Sequence, residues 1–321
     1  MKKIAIEEHF WTEEIRDFFR SRKELLGGLA DPDIGSRLLD LREGRLRDMD
    51  KSGIDMQVLC LASGLESFDA SDGVAIAQKI NDQLAEVVKE CPGRFAGFAA
   101  LAPQNPGAAA NELERAVREL GLRGAKINSH IRGEYLDDQK YWVIFEMAEK
   151  LGVPIYLHPR RPSPDMLKPY LTYPALAGSV WGFAAETGLH AMRLICSGVF
   201  DKYPGLKIIL GHLGEALPFW LWRIDNRWLR EKVASDPLVK KLKKKPSQYL
   251  KDNFLVTTSG MFWQPALLCT YMALGAERIL FAVDYPYESN REAVEFMDAI
   301  PICESDKEKI YHLNAEKLLS L

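Results

Sequence analysis

The chain has 321 residues, of which 27% are charged and 47% hydrophobic, with a formal net charge of −3. That is the composition of a globular protein able to bury a large core, and it excludes the strongly basic balance expected of a nucleic-acid or anionic-membrane binder. The five cysteines (Cys60, Cys91, Cys196, Cys269 and Cys303) show no C-x-x-C spacing, which argues against a disulfide framework or a thiolate metal site.

Along the chain, short apolar runs alternate with longer amphipathic ones, the pattern of repeated βα units. Strands are expected at Lys3–Ile6, Met56–Leu61, Phe95–Ala100, Gly124–Asn128, Pro154–His158, Lys207–Gly211, Phe254–Thr258 and Ile279–Val283. Helices are expected over Gly73–Glu90, Ala108–Leu120, Lys140–Leu151, Thr187–Tyr203 and Leu217–Val233. In the first of these, Ala77, Ile80, Leu84 and Val87–Val88 approximate one apolar face. Eight strands with interleaved helices predict an α/β fold, a (β/α)8 TIM barrel, with residues 1–321 as one domain. The competing doubly wound sheet lacks its G-x-G-x-x-G after the first strand.

Residues 12–50 and 159–180 are expected as long loops after strands one and five, walls or lids of a pocket at the catalytic face. The lysines at 240, 241 and 243–245, ahead of Pro246, read as a solvated helix end, because no aromatics interleave with them. The N-terminus meets Glu7 and Glu8 before a signal-length apolar run develops. Ala175–Ala185 is broken by glycine and too short for a bilayer. A cytoplasmic location with no membrane partner is the expectation.

The chemistry lies at the ends of the predicted strands, where barrel active sites are built. Strand one ends in Glu7-Glu8-His9, strand five in Tyr156-Leu157-His158-Pro159, strand six in Gly211-His212-Leu213-Gly214-Glu215, and strand eight in Asp284-Tyr285-Pro286. Residues i and i+2 of a strand share a face, so Glu7 and His9 can both point inward while Glu8 points away. An apolar barrel cannot bury so many ionisable groups unless they are paired or bind a metal. Two carboxylates and two or three imidazoles on one mouth suit a divalent first-row cation. For His130, His190 and His312, each taken alone, a satisfied structural histidine is the better reading. His190 could also line the pocket.

These same segments resemble the metal-dependent nonoxidative aromatic-acid decarboxylases of the amidohydrolase superfamily, which include the γ-resorcylate, 2,3-dihydroxybenzoate and 5-carboxyvanillate enzymes. The opening Glu7-Glu8-His9-Phe10 reads like the γ-resorcylate branch. Asn128-Ser129-His130 and Asp284-Tyr285-Pro286-Tyr287 look closer to the 5-carboxyvanillate branch. The resemblance implies that Glu7, His9, His158 and Asp284 hold one divalent ion per subunit, Mn2+ or Zn2+. It implies that His212 is the active-site histidine with Glu215 orienting it, and that Arg223 contacts a substrate carboxylate. A structural ion pair of Arg223 with Asp225 or Glu215 competes with that role.

Asn128 is a polar wall residue in this reading, and Phe10, Trp11, Phe262 and Tyr287 could sandwich a ring. The partner is then a small aromatic carboxylic acid with a hydroxyl ortho to its carboxylate, decarboxylated with Asp284 as the favoured proton donor. The family also implies a homodimer or homotetramer, in which Phe219, Trp220, Trp222 and Trp228 would serve a contact or, equally, the core. Two other readings stay open. One is a metal-dependent hydrolase of a lactone, amide or C–C bond, and the other is a non-catalytic barrel that binds a small acid.

Overall fold

The computed structural model describes residues 1–21, 32–62, 64–230, 235, 237 and 242–321. Its strands are β1 (Ile4–Phe10), β2 (Met56–Leu61), β3 (Phe95–Gly97), β4 (Ala99–Ala100), β5 (Ala125–Asn128), β6 (Ile155–His158), β7 (Ile208–Leu210), β8 (Phe254–Thr257) and β9 (Ile279–Leu280). All pair in parallel, in the orders β1-β2-β3 and β4-β5-β6-β7-β8-β9. β3 and β4 are two pieces of one barrel strand interrupted at Phe98, whose amide bonds to the Leu59 carbonyl. The ring closes where the Ile6 amide meets the Phe281 carbonyl and the His9 amide meets the Tyr285 carbonyl. A closed ring of parallel strands with helices between them is the expected (β/α)8 barrel.

Alternation along each strand divides the core into two shells. Ala5, Leu59, Ala125, Ile127, Leu157, Leu210, Val256 and Phe281 pack outward against the helices. Ile4, Ile6, Val58, Phe98, Tyr156, Ile209, Leu255 and Leu280 fill the interior. Chemistry is thereby confined to the next interior layer, at the C-terminal ends of the strands.

Several elements differ from expectation. Residues 12–50 are not a loop: helices Glu13–Ser21, Pro32–Leu39 and Glu43–Ser52 occupy the described part, and residues 22–31 lie outside it. The segment 159–180 folds into three short 3-10 turns. The helix expected over 187–203 breaks at Gly198 (φ 82°) into Gly182–Ser197 and Val199–Lys202, since a left-handed residue ends a right-handed helix. The expected end of the helix from Leu217 lies outside the described residues, which carry it to Trp228, as do Lys240 and Lys241 of the lysine run. Among the described residues no helix is long and apolar enough to cross a membrane.

Two of the three isolated histidines are structural. His190 accepts the Leu136 amide on Nε2 at 2.9 Å, with Nδ1 facing the Ser129 hydroxyl at 3.1 Å. His130 accepts the Gly133 amide on Nδ1 at 3.0 Å and donates from Nε2 to the Arg161 carbonyl at 3.0 Å. Each ring therefore uses one nitrogen as an acceptor and must stay neutral. Burial, with Arg193 adding to it, holds His190 down to about 3. Burial with Arg160 holds His130 down to about 4.

Their folded pKa values lie below the unfolded value of 6.5, so the stability they contribute is complete above that pH and is lost as pH falls toward 4. Removing one such group in His190→Gln should shrink the stability gap between wild type and variant by about 1.4 kcal/mol per pH unit between about pH 6 and 4. Urea unfolding across that range measures it, and a gap that stayed constant would contradict the neutral-histidine assignment.

Candidate metal centre and active site

β1 carries an irregularity that decides its chemistry. Ala5 pairs with Gln57 but Glu8 with Leu59, so three steps on β1 match two on β2. Ile4 and Ile6 face the interior, and strict alternation would send Glu8 there as well. The extra residue of the bulge reverses the parity. Glu7 consequently faces inward, its Oε1 3.5 Å from His158 Nε2 and its Oε2 accepting from Thr257 Oγ1 at 3.0 Å.

Glu8 faces the barrel seam instead, accepting the Val283 amide at 2.9 Å and the Tyr285 amide at 3.2 Å. Burial pushes its carboxyl up to about 8, against the lowering effect of the Val283 amide and Arg45. Arg45, fully buried, donates to the His9 carbonyl at 2.5 Å and lies 4.6 Å from the centre of the Tyr285 ring. Glu8 and Arg45 thus clamp β1 to the segment that follows β9.

Inside the mouth, Glu7, His9, His158 and Asp284 bring one ligand atom each within 4.8 Å of one another. Three observations test whether a cation fits. Glu7 is wholly buried, yet its Oε1 has no hydrogen-bond donor. His158 donates from Nδ1 to the Pro159 carbonyl at 2.8 Å, so its Nε2 lone pair points at that bare carboxylate oxygen. Burial and the nearby Lys126 charge hold His158 well below the usual histidine range, which keeps that lone pair free. Two acceptors facing each other in a buried site repel unless a positive charge lies between them. The donor set of two imidazoles and two carboxylates suits such an ion, and the residues fit it.

Asp284 joins the cluster to its catalytic flank. Its Oδ1 lies 2.9 Å from His9 Nε2 and its Oδ2 3.7 Å from His212 Nε2. Burial would raise its pKa, but the nearby His212 and His9 rings hold it below the usual range. His9 is opposed by its own burial, yet Cys60, 3.3 Å from Nδ1, and Asp284 carry it up to about 10. His212 behaves alike: burial favours the neutral ring, while Glu215, accepting from Nδ1 at 2.9 Å, and Asp284 hold it well above 6.5.

The backbone that presents His212 is strained. His212, Leu213, Gly214, Glu215 and Ala216 all have left-handed φ angles, of 51°, 56°, 82°, 53° and 63°. Left-handed residues other than glycine cost roughly 1–2 kcal/mol each, and such strain persists where surrounding structure over-determines it. Here the Ser259 hydroxyl accepts the His212 amide at 3.2 Å and the Gly211 carbonyl accepts the Gly214 amide at 2.7 Å. Ser259 also meets Thr257 Oγ1 at 2.7 Å. A buried chain of hydroxyls therefore runs from Glu7 through Thr257 and Ser259 to the backbone of His212.

The structure brings together Glu7, His9, His158, Asp284, His212 and Glu215, all of them expected from the sequence. Glu215 reaches His212 across a left-handed turn, not one turn along a right-handed helix. Asn128 stands beside His158 in the sheet register. Arg223 is exposed on the helix Leu217–Trp228, and Asp225, one of its two expected ion-pair partners, is engaged by the amide and hydroxyl of Ser247. Phe10 and Trp11 are core residues, while Tyr287 does reach the site, its ring 5.5 Å from that of His9. Phe219, Trp220 and Trp222 are exposed, which excludes the core reading for them.

Thr257, Ser259, Cys60, Tyr156, Lys126 and Glu66 are not assigned to the site by the sequence. Tyr156, two residues before His158, and Thr257 and Ser259, at a strand end, followed the i, i+2 rule that located Glu7 and His9. Cys60, Lys126 and Glu66 carried no comparable mark.

Fold and site together define a (β/α)8 barrel whose strand ends build a mixed carboxylate–imidazole metal centre. Residues 6–321 match the profile of the family described as amidohydrolase, and the chain belongs to the amidohydrolase family. It is 42% identical over 332 aligned positions, 99% of this chain and 98% of the relative, to a γ-resorcylate decarboxylase of Polaromonas sp. strain JS666. A crystal structure of 2,6-dihydroxybenzoate decarboxylase complexed with 2,6-dihydroxybenzoate superposes with a TM-score of 0.91 at 39% identity, covering 100% of both chains. A 5-carboxyvanillate decarboxylase of Novosphingobium aromaticivorans, with bound manganese and 3-methoxy-4-hydroxy-5-nitrobenzoic acid, superposes at 0.95 with 39% identity, covering 100% of this chain and 97% of the other.

Thr257 fixes one oxygen of Glu7 and leaves the other free. Thr257→Val should therefore weaken divalent-cation binding by about 10–100-fold, the usual effect of removing a partner that orients a ligand. Competitive titration of Mn2+ against a fluorescent chelator measures this, and unchanged affinity would contradict it.

Proposed function

We propose that this chain is a carboxy-lyase that removes CO2 without oxidation from a benzoate bearing an ortho hydroxyl, leaving the phenol. The observation that carries the reading is Asp284, placed between the ligand cluster and His212. The relatives support it, being named decarboxylases of hydroxylated aromatic acids, one of them with 2,6-dihydroxybenzoate bound and another with manganese. In this reading Glu7, His9, His158 and Asp284 hold one divalent ion per subunit, Mn2+ being favoured over Zn2+ by the manganese in that neighbour. When bound, the cation supplies the positive charge that anchors the substrate's carboxylate and adjacent phenol oxygen and draws electron density from the ring.

The chain's own groups manage the proton. At rest Asp284 is a carboxylate and His212 holds a proton between Glu215 and Asp284. Asp284 takes the substrate's phenolic proton and passes it to the ring carbon that bears the carboxylate. The carbon–carbon bond then breaks, its electron pair returns to the ring, and CO2 leaves as aromaticity is restored. His212, fixed by Glu215 and the strained turn, hydrogen-bonds the substrate and keeps Asp284 in place. Tyr287 provides an aromatic wall.

The proposal includes a one-domain, cytoplasmic chain acting as a homodimer or homotetramer. Arg223 keeps its role toward the substrate carboxylate only across a subunit contact, since it is exposed in a helix that also exposes Phe219, Trp220 and Trp222. A guanidinium suits that role, because it pairs a carboxylate bidentately and keeps its charge.

Metal-loaded protein incubated with a panel of 2-hydroxybenzoates should release CO2 and the matching phenol. Asp284→Asn should lower turnover per bound ion by about 10²–10⁴-fold, the usual contribution of a positioned acid. Hydrolysis of a lactone with no CO2 from any hydroxybenzoate would favour the hydrolase reading instead. For Arg223, co-refolding inactive Arg223→Ala with inactive Asp284→Asn subunits should restore part of the activity. No recovery in the mixed oligomer would place the arginine's function, if any, within its own subunit.

A further inference from the structure

The end of β8 touches both halves of the site through two hydroxyls that are not themselves members of the ligand cluster. Thr257 and Ser259 are wholly buried, and their oxygens stand 2.7 Å apart. Thr257 Oγ1 lies 3.0 Å from Glu7 Oε2, and Ser259 Oγ lies 3.2 Å from the His212 amide. Their neighbours pin this segment to the stretch that leads to Asp284. Thr258 Oγ1 donates to the Ala282 carbonyl at 2.9 Å and accepts the Ala282 amide at 3.0 Å. The Gly260 amide donates to the Val283 carbonyl at 3.2 Å. The two hydroxyls therefore sit on a fixed frame.

Donor counting gives the chain a single direction. A hydroxyl has one proton, a carboxylate only accepts and a backbone amide only donates. Thr257 gives its proton to Glu7, so its contact with Ser259 must use the Ser259 proton. Ser259 then offers the His212 amide lone pairs alone, which is what that amide requires. All the protons point one way, from the His212 backbone through Ser259 and Thr257 to Glu7. In such a series each bond polarises the next, and losing one weakens the rest.

We propose that Ser259 is a positioning residue that couples the cation site to His212. A Glu7 carboxylate held against a cation is a fixed acceptor for Thr257, which fixes Ser259 and with it the first amide of the left-handed turn His212–Ala216. By reciprocity, loosening that turn weakens cation binding. The inference rests on the decarboxylase reading for the part His212 plays in turnover, while its effect on cation affinity stands apart from the reaction catalysed.

The test is a double-mutant cycle of Thr257→Val and Ser259→Ala with two readouts. One is Mn2+ affinity, by competition with a fluorescent chelator; the other is kcat and KM at saturating Mn2+ with the best substrate of the hydroxybenzoate panel. Ser259→Ala should weaken Mn2+ binding by about 3–10-fold although Ser259 is no ligand. Thr257→Val, which does not touch His212, should lower kcat by about 3–10-fold with KM little changed. The double variant should match the weaker single variant within about twofold in each readout, because one chain is interrupted in all three. Thr257→Ser keeps the hydroxyl and should stay within about twofold of wild type.

Circular dichroism identifies any variant that has not folded. Mn2+ affinity unchanged in Ser259→Ala, or losses that multiply in the folded double variant, would overturn the coupling and leave the decarboxylase reading intact. A Thr257→Ser variant as impaired as Thr257→Val would overturn it as well. Absence of CO2 from every hydroxybenzoate would overturn the decarboxylase reading alone, and the Mn2+ cycle would still decide the coupling.

Discussion

A wholly buried carboxylate oxygen with no donor, facing the lone pair of an imidazole, is the interaction around which this barrel mouth is organised. Glu7 Oε1 and His158 Nε2 stand 3.5 Å apart; the His158 nitrogen is a bare lone pair, and burial pushes the Glu7 carboxyl up, as it does for a carboxylate without a compensating charge. Such an arrangement costs free energy unless a cation resides there. Everything adjacent holds the arrangement still: Thr257 occupies the other oxygen of Glu7, the Pro159 carbonyl fixes the tautomer of His158, and Asp284 and Cys60 bracket His9. The absence of a side chain at residue 211 belongs to the same set, since a β-carbon there would come within 3.0 Å of Tyr156 Oη and 3.3 Å of both Glu7 oxygens.

The strain of the His212 turn follows from the same demand. A right-handed helix starting at His212 would carry the ring away along the helix surface. Successive left-handed residues instead fold Glu215 back beneath Nδ1 and turn Nε2 toward Asp284, which itself has a φ of 79°. The Glu8–Arg45 clamp acts at the adjoining seam. Its hydrogen bonds lock the seam between β1 and the segment that follows β9, so that His9 and Asp284, on opposite sides of that seam, keep a fixed separation.

Proton location and substrate chemistry connect through this frame. The site contains more acceptors than protons, and on its catalytic flank a proton settles on His212, beside Asp284. A carboxylate flanked by two imidazoles, at the edge of a cation site, is suited to taking up a proton from one substrate atom and returning it to another.

Much of this was legible in the sequence. Alternating apolar runs and amphipathic stretches carried the barrel, because strand and helix periodicities are local properties. Ionisable residues at four strand ends carried the metal cluster, because a barrel places all strand ends on one face. The reason Glu7 faces inward, and not Glu8, was not legible: it depends on a bulge defined by pairing with β2, a contact between residues about fifty positions apart. The left-handed turn, the hydroxyl chain through Thr257 and Ser259, and the outward orientation of Arg223 were equally hidden. Each is set by which side chains from distant strands and helices meet, and the local chain around each is compatible with other conformations. Sequence alone determined the architecture and the kinds of ligand atom available. Tertiary packing decided which of those atoms converge and which neighbours hold them in place.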